Sequence, residues 1–426
     1  MLRSKLASLA LAPLFLSTDS AKATALLPRA NDTDGSNPKK VIEDSELLTL
    51  HRDLCEIESI SNTEQKIGEF LVEYLESHGF KVEKQEVPFD DDFDGDTDKP
   101  RFNVFASPKG GDSEVAAILT THMDTVPPHI PYSVSANETT TKREDISIHG
   151  RGTVDAKAGI AALTIAAIKY REENPDSKLG LLFVVSEENS GTGMRHFSDS
   201  DFNPDPTPYK ALIFSEPTNG VLASGHKGTV SFTVNVTGEA GHSGYPWLYE
   251  SAVSDALPIL ERLDQLGNLS EEEGGLPSSE KFGNCTVNVA TIDAGEATNV
   301  VPPAAVAQVL IRVAAGTPDR IEDIVRKAVK GVCAERGIDE ARVSLSFEPG
   351  SGPTELDSDV DGFETGIMHY GTDIPRFEIK GDAEVKRYLF GPGSIRVAHG
   401  EDEGLTVGEL EKSVEAFRKL IDDVLT

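Results

Sequence analysis

The chain has 426 residues, with 40 lysines and arginines against 72 aspartates and glutamates, a formal charge of −32 at pH 7. At roughly 150 residues per domain, that length points to two or three domains or to one domain with a large insertion, and a hydrophobic share of 38% is enough for a sizeable core. A balance of −32 repels phosphate backbones and anionic lipid, which argues against nucleic-acid partners; the bulk of the acidity otherwise means solubility.

Residues Met1 to Ala25 carry a basic start (Arg3, Lys5), an apolar run from Leu6 to Leu16 and a small-x-small site at Ala21-Lys22-Ala23. This is the layout of a secretory signal peptide over residues 1–23, with an apolar part too short for a spanning helix. No later apolar stretch approaches that needed to cross a membrane. Residues 24–42, rich in Pro, Asn, Asp, Gly and Lys, read as a flexible leader, in which Lys39-Lys40 reads as a solvated basic pair, with a processing site as the alternative. Five N-x-Ser/Thr sequons, at Asn31, Asn137, Asn235, Asn268 and Asn284, agree with export. Three cysteines, Cys55, Cys285 and Cys333, allow one disulfide and a leftover thiol but no disulfide framework.

From Glu64 to His78 the apolar residues Ile67, Phe70, Leu71, Tyr74 and Leu75 fall on one helix face. Val115 to Thr121, Leu179 to Val185 and Ala211 to Phe214 read as short buried strands, and Ala156 to Tyr170 as a helix between the first two. Strands alternating with helices predict an α/β sheet covered on both faces. The pattern then changes. Val230, Phe232, Val234 and Val236 alternate as a half-buried strand, followed by a helix over 251–266 and strands near 285–292 and 306–313. A helix over 320–335 and a last strand with Val343, Leu345 and Phe347 complete the order β-α-β-β-α-β. That order is the ferredoxin-like arrangement. We therefore expect a catalytic domain over 43–224, an inserted lid over 225–347, and a return to the catalytic domain over 348–426, ending in a helix from Val407.

Ligands of open α/β sheets sit beyond the carboxyl ends of strands, and the unusual polar residues fall there. His122-x-Asp124 follows the first of these strands, Glu187-Glu188 the second and Glu216 the third; Asp155 lies in the glycine-framed turn Gly150-Arg-Gly-Thr-Val-Asp155, and His399 follows the glycine-rich Phe390-Gly-Pro-Gly393. Carboxylates converging at one sheet edge repel one another unless a cation neutralises them. Two histidines and three carboxylates suit zinc, and two ions sharing one bridging carboxylate would use all five.

His122-Met-Asp124-Thr-Val-Pro, Gly150-Arg-Gly-Thr-Val-Asp155-Ala-Lys, Glu187-Glu188-x-x-Gly191, Ser215-Glu216-Pro-Thr, Gly241-His242-Ser-Gly, Ala297-Thr-Asn299-Val-Val-Pro and Pro392-Gly-x-x-x-x-Ala-His399 occur in one order. In order and spacing they resemble the co-catalytic zinc amidohydrolase and peptidase family of acetylornithine deacetylase, succinyl-diaminopimelate desuccinylase, aminoacylase and glutamate carboxypeptidase. The exported, sequon-bearing form is similar to a fungal-type secreted carboxypeptidase. The resemblance implies a mixed sheet flanked by helices that carries a di-zinc site, with the ferredoxin-like lid inserted. It implies two zinc ions per chain: Asp155 bridges them, His122 and Glu216 complete one site, and Glu188 and His399 the other. It further implies a cis peptide at Asp155–Ala156. Asp124, two residues beyond His122 on the same side of an extended chain, is placed to accept the second ring N–H of that histidine, and Glu187, adjacent to Glu188, to act as general base for hydrolysis by metal-bound water. His242 would stabilise the oxyanion, sometimes in a partner subunit's site, while Asn299 and Arg312 would hold the substrate carboxylate. His226, at the domain junction, reads as a hinge or packing residue, and Trp247 as core or lid wall.

The expected activity is a secreted metallo-exopeptidase cutting next to a free carboxylate. An N-acyl-amino-acid deacylase is the alternative; an aminopeptidase or an inactive metal-binding module fits less well, since Glu187 and all five ligands are present. A homodimer through the lid is allowed, though glycans at Asn235 or Asn268 would obstruct it.

Overall fold

The structure is a computed structural model that describes residues 37–89, 100–109, 114–136 and 142–426. The expected signal peptide and the sequons Asn31 and Asn137 lie outside the described residues. No helix among the described residues is long and apolar enough to cross a membrane.

The chain is ordered earlier than the leader reading expects. Pro38–Glu43 forms a short helix, α1, capped by the Asn37 side chain, and Val41 and Ile42 are buried in the main core. Two buried apolar residues, a proline at the first helical position and an Asn cap outweigh the polar composition around them. Helix α2 (Glu46–Glu56) and helix α3 (Gln65–Ser77) follow.

The main sheet has six strands in the spatial order Phe80–Val87, Arg101–Pro108, Leu179–Val184, Ala117–His122, Ala211–Phe214, Lys386–Leu389. The first two are antiparallel to their neighbours, and the other four run parallel. Helix α4 (Lys157–Glu173) is apolar nearly all round because it lies between this sheet and two helices, α2 and the C-terminal one; Ile160, Leu163, Ile165 and Tyr170 are all buried. Helix α5 (Thr192–Ser198) covers the other side beside Phe105, Phe197 and Phe214.

Gly228–Thr237, Thr286–Ala294, Ala304–Val313 and Val343–Phe347 build a separate four-stranded antiparallel sheet. Its spatial order places the first strand beside the third and fourth, as a ferredoxin-like unit requires. Helix α6 (Ala252–Gln265) and helix α7 (Pro318–Arg336) bury one face around Phe232, Val234, Ile259, Leu263, Ile311 and Val325. Thr317, Pro318 and the left-handed Gly337 bracket α7. Cys285 and Cys333 sit in this second core and Cys55 in the first; all three are free thiols, so the one disulfide that composition allowed does not form. Helix α8 (Val407–Leu425) returns to the main sheet behind a Thr406–Glu409 capping box.

Candidate metal centre

The four parallel strands end on one edge of the sheet, and register aligns those ends: His122 pairs with Val184, and Thr120 with Phe214. The residues that follow each strand therefore meet. His122 closes its own strand, Glu187 and Glu188 leave the next through Ser186, Glu216 leaves the third, and the fourth leads through Gly391 and Gly393 to His399. Asp155 arrives from the turn before α4. A Cβ on Gly159 would lie 2.5 Å from Ser215 Oγ, so only glycine lets the first turn of α4 sit this near the strand end. The Asp155–Ala156 peptide is cis, as the resemblance implies.

His122 Nε2 lies 3.1 Å from Asp155 Oδ1 and 3.7 Å from Glu216 Oε1. His399 Nε2 lies 3.4 Å from Asp155 Oδ2 and 3.0 Å from Glu188 Oε2. Asp155 thus presents one oxygen to each histidine, the arrangement of a bridging carboxylate. His122, Asp155 and Glu188 form one group whose ligand atoms lie within 4.8 Å of one another, and His122, Glu187 and Glu216 form a second. The His122, Asp155, Glu188 and Glu216 side chains are 10% exposed or less, whereas His399 is 50% exposed and marks the open side.

The electrostatics are those of a site short of positive charge. Burial and the Glu216 charge push the Glu187 carboxyl well above its ordinary value, and burial with Asp155 pushes Glu188 up to about 7. Glu216 is also raised by burial, against the pull of His122. Burial favours the neutral His122 ring, yet Glu216, Asp124 and Asp155 together hold it protonated far above its usual range. Hydrogen bonds with Asp155 and Glu188 raise His399 to about 10. Burial opposes ionisation of Asp155, but the two histidines outweigh it and hold its carboxyl below the ordinary range. Two nitrogens and three carboxylates, sheltered and converging, form a donor set that hard or borderline divalent ions accept.

Asp124 does more than spacing suggested. The His122 Nδ1 lies 3.0 Å from the Asp124 backbone carbonyl and 3.5 Å from its carboxylate. The carbonyl therefore takes the second ring N–H. The fully buried carboxylate accepts the backbone N–H groups of Glu187 (3.0 Å) and Glu188 (3.2 Å) and the Ser61 hydroxyl (2.7 Å). It places the loop that carries both glutamates.

Arg312 lies on the lid strand Ala304–Val313 and donates to Thr229 Oγ1 at 3.0 Å. Burial lowers its guanidinium, and the charges of Glu187 and Glu188 act in the opposite sense. His242 and Asn299 do not join that cluster. Both are exposed on a two-stranded ladder of the lid, where His242 pairs with Val300 and the Ser243 N–H donates to the Asn299 carbonyl. His226 is buried at the junction, within 2.8 Å of the Lys227 carbonyl and 3.1 Å of Thr372 Oγ1, a packing position. Trp247 is 73% exposed. Of the sequons, Asn268 and Asn284 are exposed and Asn235 is half-buried within a strand paired on both sides.

Sequence reading missed a ring of buried polar groups behind the site. Glu64 accepts the Ser186 N–H at 3.1 Å and faces Arg101 at 3.7 Å. Asp373, buried and raised to about 7 by burial and by Asp124 and Glu216, points one oxygen at no hydrogen-bond partner. Arg151 and Glu403 pair behind the Asp155 turn. Only Arg151 stood inside a motif; the others carry no local signal.

Residues 224–336 match the family model described as a peptidase dimerisation domain of the M20 type. The chain is 51% identical over 401 residues to a protein of Ajellomyces capsulatus named a probable carboxypeptidase, covering 93% of this chain and 91% of the relative. Among solved structures it is similar to an M20 family metallo-carboxypeptidase from Sulfolobus solfataricus, with TM-score 0.65, 15% identity and coverage of 88% and 98%. It is also similar to a dinuclear metal binding peptidase of the M20 family from Bacillus subtilis, with TM-score 0.57, 14% identity and coverage of 91% and 99%.

Proposed function

The chain belongs to the M20 family of carboxypeptidase-like metallopeptidases, and on that premise we propose that it is an exported, zinc-dependent exopeptidase that releases a residue bearing a free carboxylate. The observation that carries this reading is the pairing of each Asp155 oxygen with a different histidine, His122 on one side and His399 on the other. Asp155, His122 and Glu216 would hold one ion, and Asp155, Glu188 and His399 the second. When bound, such ions supply Lewis acidity toward the scissile carbonyl and lower the pKa of water.

Glu187 is the general base. Burial and the Glu216 charge raise its pKa, which makes the ionised carboxylate a stronger base toward the attacking water and its acid form the donor to the departing amine. Arg312 grips the substrate carboxylate through two parallel N–H donors. His242 and Asn299, exposed on the lid, reach the site on lid closure or from a second copy of the chain, His242 toward the reacting carbonyl and Asn299 toward the substrate carboxylate. Export is supported by the Met1–Ala25 pattern and by the sequons.

The test is kinetic and analytical together. Glu187→Gln should lose turnover by at least about a hundredfold while both zinc ions stay bound; retained activity would remove Glu187 from the mechanism. A dipeptide and an N-acetyl amino acid, offered at equal concentration, separate the exopeptidase from the deacylase: faster dipeptide cleavage is expected. Arg312→Lys should raise KM for either carboxylate substrate, because an ammonium cannot reproduce the two-point grip.

A further inference from the structure

Behind the candidate metal centre, Arg151 and Glu403 form an ion pair of 2.6 Å, with 2% and 1% of their surface exposed. The other side-chain hydrogen bonds of the pair go to backbone. Glu403 Oε1 accepts the N–H groups of Val154 (3.0 Å) and Asp155 (3.1 Å). The Arg151 guanidinium donates to the carbonyls of His399 (3.3 Å) and Gly400 (3.2 Å). The Glu403 backbone carbonyl also accepts the Gly150 N–H at 3.1 Å. Glu403 therefore grips the turn that bears Asp155, and Arg151 grips the segment that bears His399. These segments are some 245 residues apart in sequence and are the two ends of one cation site.

Two further features need such a grip. The Asp155 turn is wound through Gly150 at φ +140° and Gly152 at φ +83°. His399 itself has φ +64°, a left-handed conformation unusual for a residue with a Cβ, and one that persists only where the surroundings over-determine it. A carbonyl held by a buried guanidinium supplies that determination. A buried ion pair is by itself a weak means of stabilising a fold, since an apolar pair of equal volume does as well or better. Its value is geometric.

We propose that the Arg151–Glu403 pair is a latch of positioning residues that holds Asp155 and His399 at a fixed separation, and so sets the affinity of the second cation site, that of Asp155, Glu188 and His399. The inference rests on the reading of those three residues as metal ligands. Neither Arg151 nor Glu403 touches an ion or a substrate. The site formed by His122 and Glu216 draws on the latch only through Asp155 and is affected less.

The experiment uses the full chain, stripped of metal and titrated with zinc ions alone against a competing chelator, with wild type, Arg151→Lys and Glu403→Gln in parallel. Lysine keeps a cation beside Glu403 but cannot serve both the carboxylate and two carbonyls. Wild type should take up two ions. Arg151→Lys should weaken the second ion about 10–100-fold, the usual effect of losing a group that orients a ligand, and shift the first far less, while Tm of the metal-free chain moves little. Glu403→Gln, which keeps an acceptor for the two amides, should fall between. Equal weakening of both ions in step with Tm, or no change in either, would overturn the latch while leaving the metal reading intact. Failure of both variants to fold would also overturn it, because the pair would then serve the fold. A wild type that binds fewer than two ions would remove the metal reading and the latch with it.

Discussion

At the scale of single residues, Asp124 shows how spacing can find a residue and only part of its task. His122 and Asp124 stand two apart on an extended chain, so their side chains share a side, and an imidazole–carboxylate contact is the natural expectation. The chain turns at that point, bringing the Asp124 carbonyl to the ring at 3.0 Å and freeing the carboxylate for three other donors. We expect Asp124→Asn to lower kcat about 10–100-fold with KM little changed, because an NH2 group would oppose an N–H or O–H donor and displace Glu187 and Glu188 together. Unchanged kcat in steady-state assays would mean that something else places that loop. The five candidate ligands and Glu187 were legible because each follows a strand end within a short ordered motif. Glu403 and Asp373 were not, since Gly400-Glu-Asp-Glu403 and Thr372-Asp373 read as solvated loops. Their partners lie far along the chain: Arg151 is 252 residues from Glu403.

Among the elements, those with strong periodicity were readable and those defined by pairing were not. Three of the four buried parallel strands (all but Lys386–Leu389), helices α3, α4, α6 and α7, and the whole lid order follow from apolar spacing. Phe80–Val87 escaped because its Lys-Val-Glu-Lys-Gln-Glu sequence is that of a solvated edge, and it is a strand only because all eight residues pair with Arg101–Pro108. The lid has the opposite problem, elements that are complete yet uncovered. Every exposed large hydrophobic side chain among the described residues lies there: Tyr245, Trp247, Leu248, Leu257, Ile292 and Val306. Its outer strand, Thr286–Ala294, pairs on one side only, within a nine-residue run that is largely exposed. A long edge strand and clustered apolar side chains are features that soluble chains normally cover. With a dimerisation-domain match over the same residues, we expect two chains to sediment as one particle joined through the lid. Ile292→Lys with Trp247→Glu should return single chains with unchanged circular dichroism. A wild type that sediments as a single chain at every concentration would leave the lid an autonomous cover.

For the molecule as a whole, two sets of buried titratable groups pull stability in opposite directions with pH. His51 and His226 are buried and lowered to about 4, chiefly by burial, against an unfolded value near 6.5. The unfolded chain binds more protons between those values, so the stability these two rings allow is present above pH 6.5 and is lost as pH falls toward 4. The acidic centre works the other way. Glu64 is raised to about 8 by burial and Asp124, and Glu188 and Asp373 to about 7. Here the folded chain holds the extra protons, so stability is fullest below the ordinary carboxyl range and drains as pH climbs through 7 to 8. His399, raised to about 10, adds to that loss. Bound cations would take over the neutralising role of those protons at the centre but would not reach His226 at the domain junction. The rise in Tm conferred by zinc should therefore grow from pH 6 to pH 8, while His226→Gln should make the acid limb below 6.5 shallower by the same amount with and without metal. Calorimetry across that range, on chelated and zinc-loaded chain, distinguishes the two sets. A zinc-conferred rise that is equal at pH 6 and pH 8 would mean that the carboxyl protons and the cations do not compete for one site, and the donor set around Asp155 would lose its claim to both.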